Sequence, residues 1–453
     1  MSCPPWLASS SGSAKLHPLQ AAGNGSTPII LPRTICPRLR YHCTVSGALQ
    51  RVDGEALARD LSRLVRVPSV TGGERAVAAE IVAIAHERGL DAQLVEFDLD
   101  ALRAAPGYPG EEASRSELVA AIVTLRGSDH SAPRLCVNGH VDVVAPGTEP
   151  WQRDPWSGAV AAGAVHGRGS VDMKGGVAAA LHALCALRDA GERLPGDVVL
   201  QAVSSEEDGG LGTFAALQRD DRLAACLIPE PTELEIVCAH GGALTFTGVV
   251  RGRTAHAALR LEGLSTIDRY MPIHAALHEH ERADTATARH PLLADHPLPY
   301  PLLVGQLRAG RWSSQVPEEL VFEGRLGVPI GMSLHDARTG LERTVAAAAG
   351  DDGPPVEITW SGGQFAPGET ATDDPWVTLV RDAAAAELGA PPPLVAVGYG
   401  TDMRLFCDRG IPCVLFGPRG IRLAHAVDEH VAIADLVAVA RVIVRSALAF
   451  STR

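Results

Sequence analysis

An α/β fold is predicted, in which a larger domain with a mostly parallel central sheet flanked by helices is interrupted by a smaller α+β unit. Three observations predict it. From Asp53 to Glu230, apolar strand-like runs alternate with amphipathic helical stretches. From about Gly241 to Gln364 the grammar changes to alternating strands with two helices, and from Asp374 the α/β pattern returns.

In chain order, EALARDLSRLVRV carries apolar positions at helical spacing. PSVTGGE then supplies a turn and a cap before the second helix, ERAVAAEIVAIAHERG. DAQLVEFDL and ELVAAIVTLRG read as strands separated by a Pro/Gly loop at Pro106 to Gly110, and RLCVNGHVDVV as another strand. Lys174 to Ala190 reads as a helix with Val177, Leu181, Leu184 and Leu187 on one side. DVVLQAV and AACLIP follow as strands. In the smaller unit LTFTGVVRG and LVFEGRLGVP alternate, and Ser265 to Arg282 and Ser333 to Ala349 are helical, with the Pro-rich ADHPLPYPLLVG between them. A helix through Leu388, the strand IPCVLFGP and a last helix from Ile433 to Phe450 complete the larger domain. The expected boundaries are 1–47 for an N-terminal extension, 48–240 and 365–453 for the two parts of the larger domain, and 241–364 for the insertion.

Residues 1 to 47 are rich in Ser, Pro, Gly and Thr and hold no acidic residue; the first acid is Asp53. They read as a disordered extension, although an acid-poor segment with Arg and Ser is also the character of a transit peptide. A formal net charge of −13 argues against a nucleic-acid footprint, which needs a basic face. The uncharged run Gly175 to Leu187 spans 13 residues, too few for a bilayer. Nine cysteines without a C-x-x-C pair suit a reducing compartment, so a cytoplasmic location is expected.

The chemistry gathers at predicted strand ends. His140 and Asp142 follow LCVNG, Asp172 precedes a helix, Glu206 and Glu207 follow DVVLQAV, Glu230 follows AACLIP, and His425 comes after IPCVLF. In a parallel sheet the C-terminal strand ends line one rim, the usual binding crevice. Singly, each residue has an ordinary explanation, such as a satisfied histidine or a helix cap. Together, carboxylates on one rim repel and require cations, and a His/Asp/Glu set without Cys suits zinc, cobalt or manganese. The Gly-rich GRGSVDMKGG lacks Gly before Lys174 and Ser/Thr after it, so it is not a phosphate loop.

These residues resemble the co-catalytic zinc family that includes acetylornithine deacetylase, succinyl-diaminopimelate desuccinylase, aminoacylase and the glutamate carboxypeptidases. The resemblance runs from about Leu57 to the C-terminus through GHVDVV, GRGSVDMKGG, SSEEDGG, PEPT, GTDMRLF and AHAVDE. It implies two divalent metal ions, most naturally zinc, bridged by Asp172, with His140 and Glu230 completing one site and Glu207 and His425 the other. Asp142 would orient the His140 imidazole, and Glu206 would be the general base. It further implies that the insertion is a lid through which two chains dimerise. His256 in VRGRTAHAA would reach the partner's site, and Arg325 in EGRLGVP would receive a substrate carboxylate. Three features depart from the family pattern: RWSSQVPEEL lacks an Asn often found there, Arg419 stands where many members have Gly, and the leader to residue 47 has no counterpart. The activity implied is hydrolysis of a small amide, deacylation of an N-acyl amino acid first and the action of a dipeptidase or exo-carboxypeptidase second; a catalytically silent metal-binding protein is the reading from another class.

Overall fold

The computed structural model describes residues 47–129, 131–287 and 290–451. The expected N-terminal extension, apart from Gly47, lies outside the described residues. Helix α1 (Gly54–Val65) starts where the Asp53 carboxylate accepts from the N–H groups of Glu55 and Ala56. Helix α2 (Arg75–Glu87) has no such cap: the Glu74 carboxylate instead accepts from Gly72 N behind it and lies 3.4 Å from Arg115. The cap expected in PSVTGGE is therefore absent because its acid serves a buried arginine.

Strand β1 (Asp91–Glu96), helix α3 (Leu99–Arg103), and strands β2 (Val119–Leu125) and β3 (Arg134–His140) follow. Two short strands, β4 (Ala159–Ala161) and β5 (Ala164–His166), precede helix α4 (Gly175–Asp189). Next come β6 (Val198–Val203), α5 (Leu211–Leu217), β7 (Leu223–Ile228) and β8 (Ile236–His240). The smaller unit contributes β9 (Gly242–Arg251), α6 (Thr266–Thr287), β10 (Leu302–Ala309), β11 (Glu319–Val328), α7 (Leu334–Ala349) and β12 (Glu357–Phe365). The chain ends with β13 (Gly368–Glu369), α8 (Pro375–Leu388), β14 (Leu394–Val397), α9 (Met403–Cys407), β15 (Cys413–Leu415), β16 (His430–Ala432) and α10 (Ile433–Phe450).

The main sheet runs β1-β2-β6-β3-β7-β15-β8-β13, with β14 also paired to β8. Its centre, β6-β3-β7-β15, is parallel; β1-β2, β2-β6, β15-β8 and β8-β13 are antiparallel, and β14 pairs with β8 in parallel. Alternation divides β3 between two cores: Leu135 and Val137 pack with α1, α2, α4 and α10, whereas Cys136 packs with Phe214 of α5 and Phe406 of α9. Helix α4 is buried on all sides from Gly175 to Leu187, more than the one apolar stripe expected, because it is the central helix of its layer.

The smaller unit is an antiparallel sheet, β10-β11-β9-β12, whose own core sets Phe246 and Phe322 against Tyr270, Ile273 and Leu277 of α6 and Leu341 and Val345 of α7. The chain leaves the main sheet at His240 and re-enters it at Gly368, and these two residues pair directly. Among the described residues no helix is long and apolar enough to cross a membrane. The described cysteines are free thiols, and burial pushes Cys407 up to about 12, so it stays protonated.

His240 is fully buried, and burial with the nearby Arg404 charge holds it down at about 4 against an ordinary 6.5. The unfolded chain therefore binds an extra proton between these values. The associated stability is complete above pH 6.5 and is lost as pH falls towards 4, by about 3 kcal/mol at ~1.4 kcal/mol per pH unit. Thermal midpoints followed in chelator across this window are expected to fall more steeply for the natural chain than for His240→Gln.

Candidate active site

The parallel strands deliver the expected residues to one rim. His140 ends β3, Glu206 and Glu207 lie in the turn after β6, Glu230 follows β7, and His425 lies in the segment between β15 and β16. Asp172 sits in the irregular turn before α4, and the peptide bond after it is cis. Gly176 and Gly417 let two main chains pass tightly against Pro229 and Glu230; a Cβ on either would stand 2.1 Å from Pro229 O or 1.9 Å from Glu230 O. Ser205 and His425 adopt left-handed φ values of 70° and 63°, a conformation that non-glycine residues rarely take outside sites that hold them there.

The Asp172 carboxylate lies between two imidazoles. Its Oδ1 is 3.1 Å from His140 Nε2, and its Oδ2 is 3.3 Å from His425 Nε2. Glu230 stands 3.4 Å from His140 Nε2, and Glu207 stands 3.1 Å from His425 Nε2. His140 Nδ1 is 2.9 Å from the main-chain oxygen of Asp142, which can only accept, so Nδ1 carries a proton and Nε2 is the nitrogen left facing the acids, placed to take a second proton or to ligate a metal. The Asp142 carboxylate is farther away, at 3.7 Å. Its oxygens accept instead from Glu206 N and Glu207 N, at 3.2 and 3.1 Å. Asp142 thus holds the ring with its backbone and the Glu206–Glu207 turn with its side chain.

Four carboxylates share this rim with two imidazoles. Burial pushes Glu206, Glu207 and Glu230 upward, the last to about 7. His425 is raised to about 10 by its bonds to Asp172 and Glu207. Burial opposes a charged His140, yet Glu230 and Asp172 lift it well above its ordinary value. Asp172 itself is held low against its burial by the two imidazoles. Such a set binds protons tightly because it lacks positive charge, and the donor chemistry fits divalent metals. Donor atoms of His140, Asp172 and Glu207, and also of His140, Glu206 and Glu230, lie within 4.8 Å of one another. Glu206 is thus as near to His140 and Glu230 as a shared ligand position would require.

A cavity of about 600 Å³ opens over these residues, lined also by Leu303, Phe365, Tyr399 and Arg325. Among the described residues that line it, Arg325 is the only arginine or lysine. His256 does not line this cavity; it lies exposed on a loop of the smaller unit, its Nδ1 accepting from Ala258 N at 3.1 Å. Arg419, the departure before His425, pairs with Asp435 at the start of α10 at 2.7 Å. Lys174 is buried, with its Nζ bound to the main-chain oxygens of Leu64 and Val67, consistent with a structural rather than a phosphate-binding lysine.

A profile of peptidase family M20/M25/M40 matches residues 136–449, more than half of the chain. The chain belongs to this family. It is 29% identical over 413 residues to a succinyl-diaminopimelate desuccinylase of Gluconacetobacter diazotrophicus, covering 87% of this chain and 96% of that one. It is also 29% identical over 359 residues to an N-formyl-4-amino-5-aminomethyl-2-methylpyrimidine deformylase of Bacillus subtilis, covering 73% and 82%. In fold it is similar to the crystal structure of a dinuclear metal-binding M20 peptidase from Bacillus subtilis, with a TM-score of 0.64, 15% identity and coverage of 88% and 98%.

Glu429 is a site residue that sequence reasoning missed. It is fully buried, pairs with Arg168 at 2.8 Å, and accepts from Gly169 N, Val171 N and Asp172 N at 2.9 to 3.2 Å. It shapes the turn that carries Asp172. Its signal was the acid closing AHAVDE, but its partners lie some 260 residues earlier. Glu429→Gln is expected to weaken metal binding about 10- to 100-fold, measured by competition with a chelating dye.

Proposed function

We propose that this chain is a di-zinc hydrolase that removes the acyl group from an N-acyl amino acid. The observation that carries this reading is the Asp172 carboxylate set between His140 and His425, with the Glu206 carboxylate beside it. Asp172, His140 and Glu230 would hold one ion, and Asp172, Glu207 and His425 the other. Bound metal lowers the pKa of an attacking water and polarises the scissile carbonyl. Glu206 takes a proton from that water as the carbon–oxygen bond forms. It then delivers the proton to the amide nitrogen as the carbon–nitrogen bond breaks, and the remaining proton of the water passes from the new carboxyl group to the amine, giving a carboxylate and an ammonium. Asp142 serves this step by fixing the N–H groups of Glu206 and Glu207.

Arg325 anchors the substrate carboxylate within the cavity. Arg325→Met is expected to raise KM about 10- to 100-fold while kcat changes little, from steady-state rates on one N-acyl amino acid. His256 would act on a second chain's site, stabilising the oxyanion in a homodimer formed through the smaller unit. A strictly monomeric protein with full activity removes this role. Zinc is favoured by the thiol-free His and carboxylate donors, with cobalt or manganese as substitutes. A reducing, cytoplasmic setting is supported by the free thiols among the described residues.

The relatives named as a desuccinylase and a deformylase favour deacylation over dipeptide cleavage. Metal-reconstituted protein assayed on a panel of N-acyl amino acids and dipeptides tests the choice. Faster turnover of an acyl amino acid is expected; faster turnover of a dipeptide overturns it in favour of a dipeptidase, and turnover of neither leaves a silent metal-binding protein.

A further inference from the structure

Beneath the Glu206–Glu207 turn lies a second buried charge cluster that contains none of the proposed metal ligands. The Arg115 side chain is fully buried. Its Nη2 donates to both oxygens of Asp208, at 2.9 and 2.8 Å. Its Nη1 lies 3.4 Å from Glu74 and its Nε 3.3 Å from Glu111. Asp208 in turn accepts from Ser205 Oγ, so the two residues that flank Glu206 and Glu207 are clasped across them. Asp208 also accepts from the N–H groups of Glu112 and Ala113 at 3.2 and 2.9 Å, binding the loop that carries Arg115.

That loop is pinned at its other end. Pro109 O accepts from Gln364 N, at the end of β12, at 2.7 Å. Gly110 O lies where a Cβ on Gly209 would stand, at 2.5 Å. The guanidinium is therefore delivered from a fixed loop to the carboxylate that closes the turn. A buried guanidinium that faces Asp208, Glu74 and Glu111 with three separate nitrogens has a fixed fork that a single ammonium nitrogen does not reproduce.

We infer that Arg115 is a positioning residue, holding the Glu206–Glu207 turn through Asp208 in the orientation that metal binding and proton transfer require. The inference rests on the roles proposed above for Glu206 and Glu207. Arg115 is not among the described residues that line the cavity with Arg325, so its loss is expected to act on the turn and not on substrate anchoring.

The test compares Arg115→Lys and the milder Ser205→Ala with the natural chain by zinc titration, steady-state kinetics and thermal midpoint. For Arg115→Lys, zinc affinity and kcat are each expected to fall about 10- to 100-fold, with KM within about threefold. Ser205→Ala is expected to move both in the same direction by less. In Arg115→Ala, millimolar methylguanidinium is expected to restore part of kcat. A lower thermal midpoint with zinc affinity and kcat unchanged in both Arg115→Lys and Ser205→Ala overturns the inference. If Arg115→Lys does not fold, Ser205→Ala alone decides by the same criterion. If the natural chain hydrolyses no amide, the functional reading falls, while the zinc titrations still decide whether Arg115 positions the turn.

Discussion

Glu206→Gln is expected to lower kcat by about 10²- to 10⁴-fold, or about 3–5 kcal/mol of transition-state stabilisation. The amide keeps the size of the side chain and the N–H that Asp142 accepts, but it cannot accept the proton of an attacking water. KM is expected to stay within a few-fold, because Arg325 is untouched. Metal content separates two roles. Glu206 lies within reach of the position that His140 and Glu230 would fill, so as a ligand its loss would also release an ion. Retention of both ions with kcat lost identifies a base. Emission spectroscopy on the dialysed variant, alongside the rates, makes the distinction.

Asp172→Asn is expected to abolish activity by removing both metals together, with kcat reduced at least about 10⁴-fold. Each Asp172 oxygen faces a different imidazole, so the loss of charge is felt at both. Glu230→Gln, facing His140 alone, is expected to weaken one site more than the other. On the proposed reading the same carboxylate also bears on stability. Metal bound at the proposed site would offset the repulsion among Glu206, Glu207 and Glu230, so a chelator is expected to lower the thermal midpoint of the natural chain. In Asp172→Asn the chelator is expected to change little, because little metal is bound. Calorimetric scans with and without chelator read the difference.

The large elements were legible because their patterns are long and their neighbours local. DVVLQAV and RLCVNGH are apolar runs that end in the sheet's parallel centre, and Ser333 caps α7 where the pattern predicted a start. The three-residue strands β4, β5 and β16 carry too few positions to show a period, yet they pair into one small sheet. Strand β10 was obscured by the prolines that lead into it. At the site, the acids and imidazoles were legible because chemistry restricts them to few residue types at strand ends. The residues behind them were not. Glu429 and Arg115 act through main-chain N–H groups and carboxylates supplied by distant segments, and nothing in their local sequence distinguishes them from surface charges. The double use of Asp142, backbone to His140 and side chain to the Glu206–Glu207 turn, required coordinates as well.

Anomalous diffraction at the zinc absorption edge, on crystals grown with zinc, tests the central claim most directly. The predicted map holds two peaks flanking the Asp172 carboxylate, one beside His140 and Glu230 and the other beside His425 and Glu207, with Glu206 bound to neither. A single peak, or a peak ligated by Glu206, would contradict it.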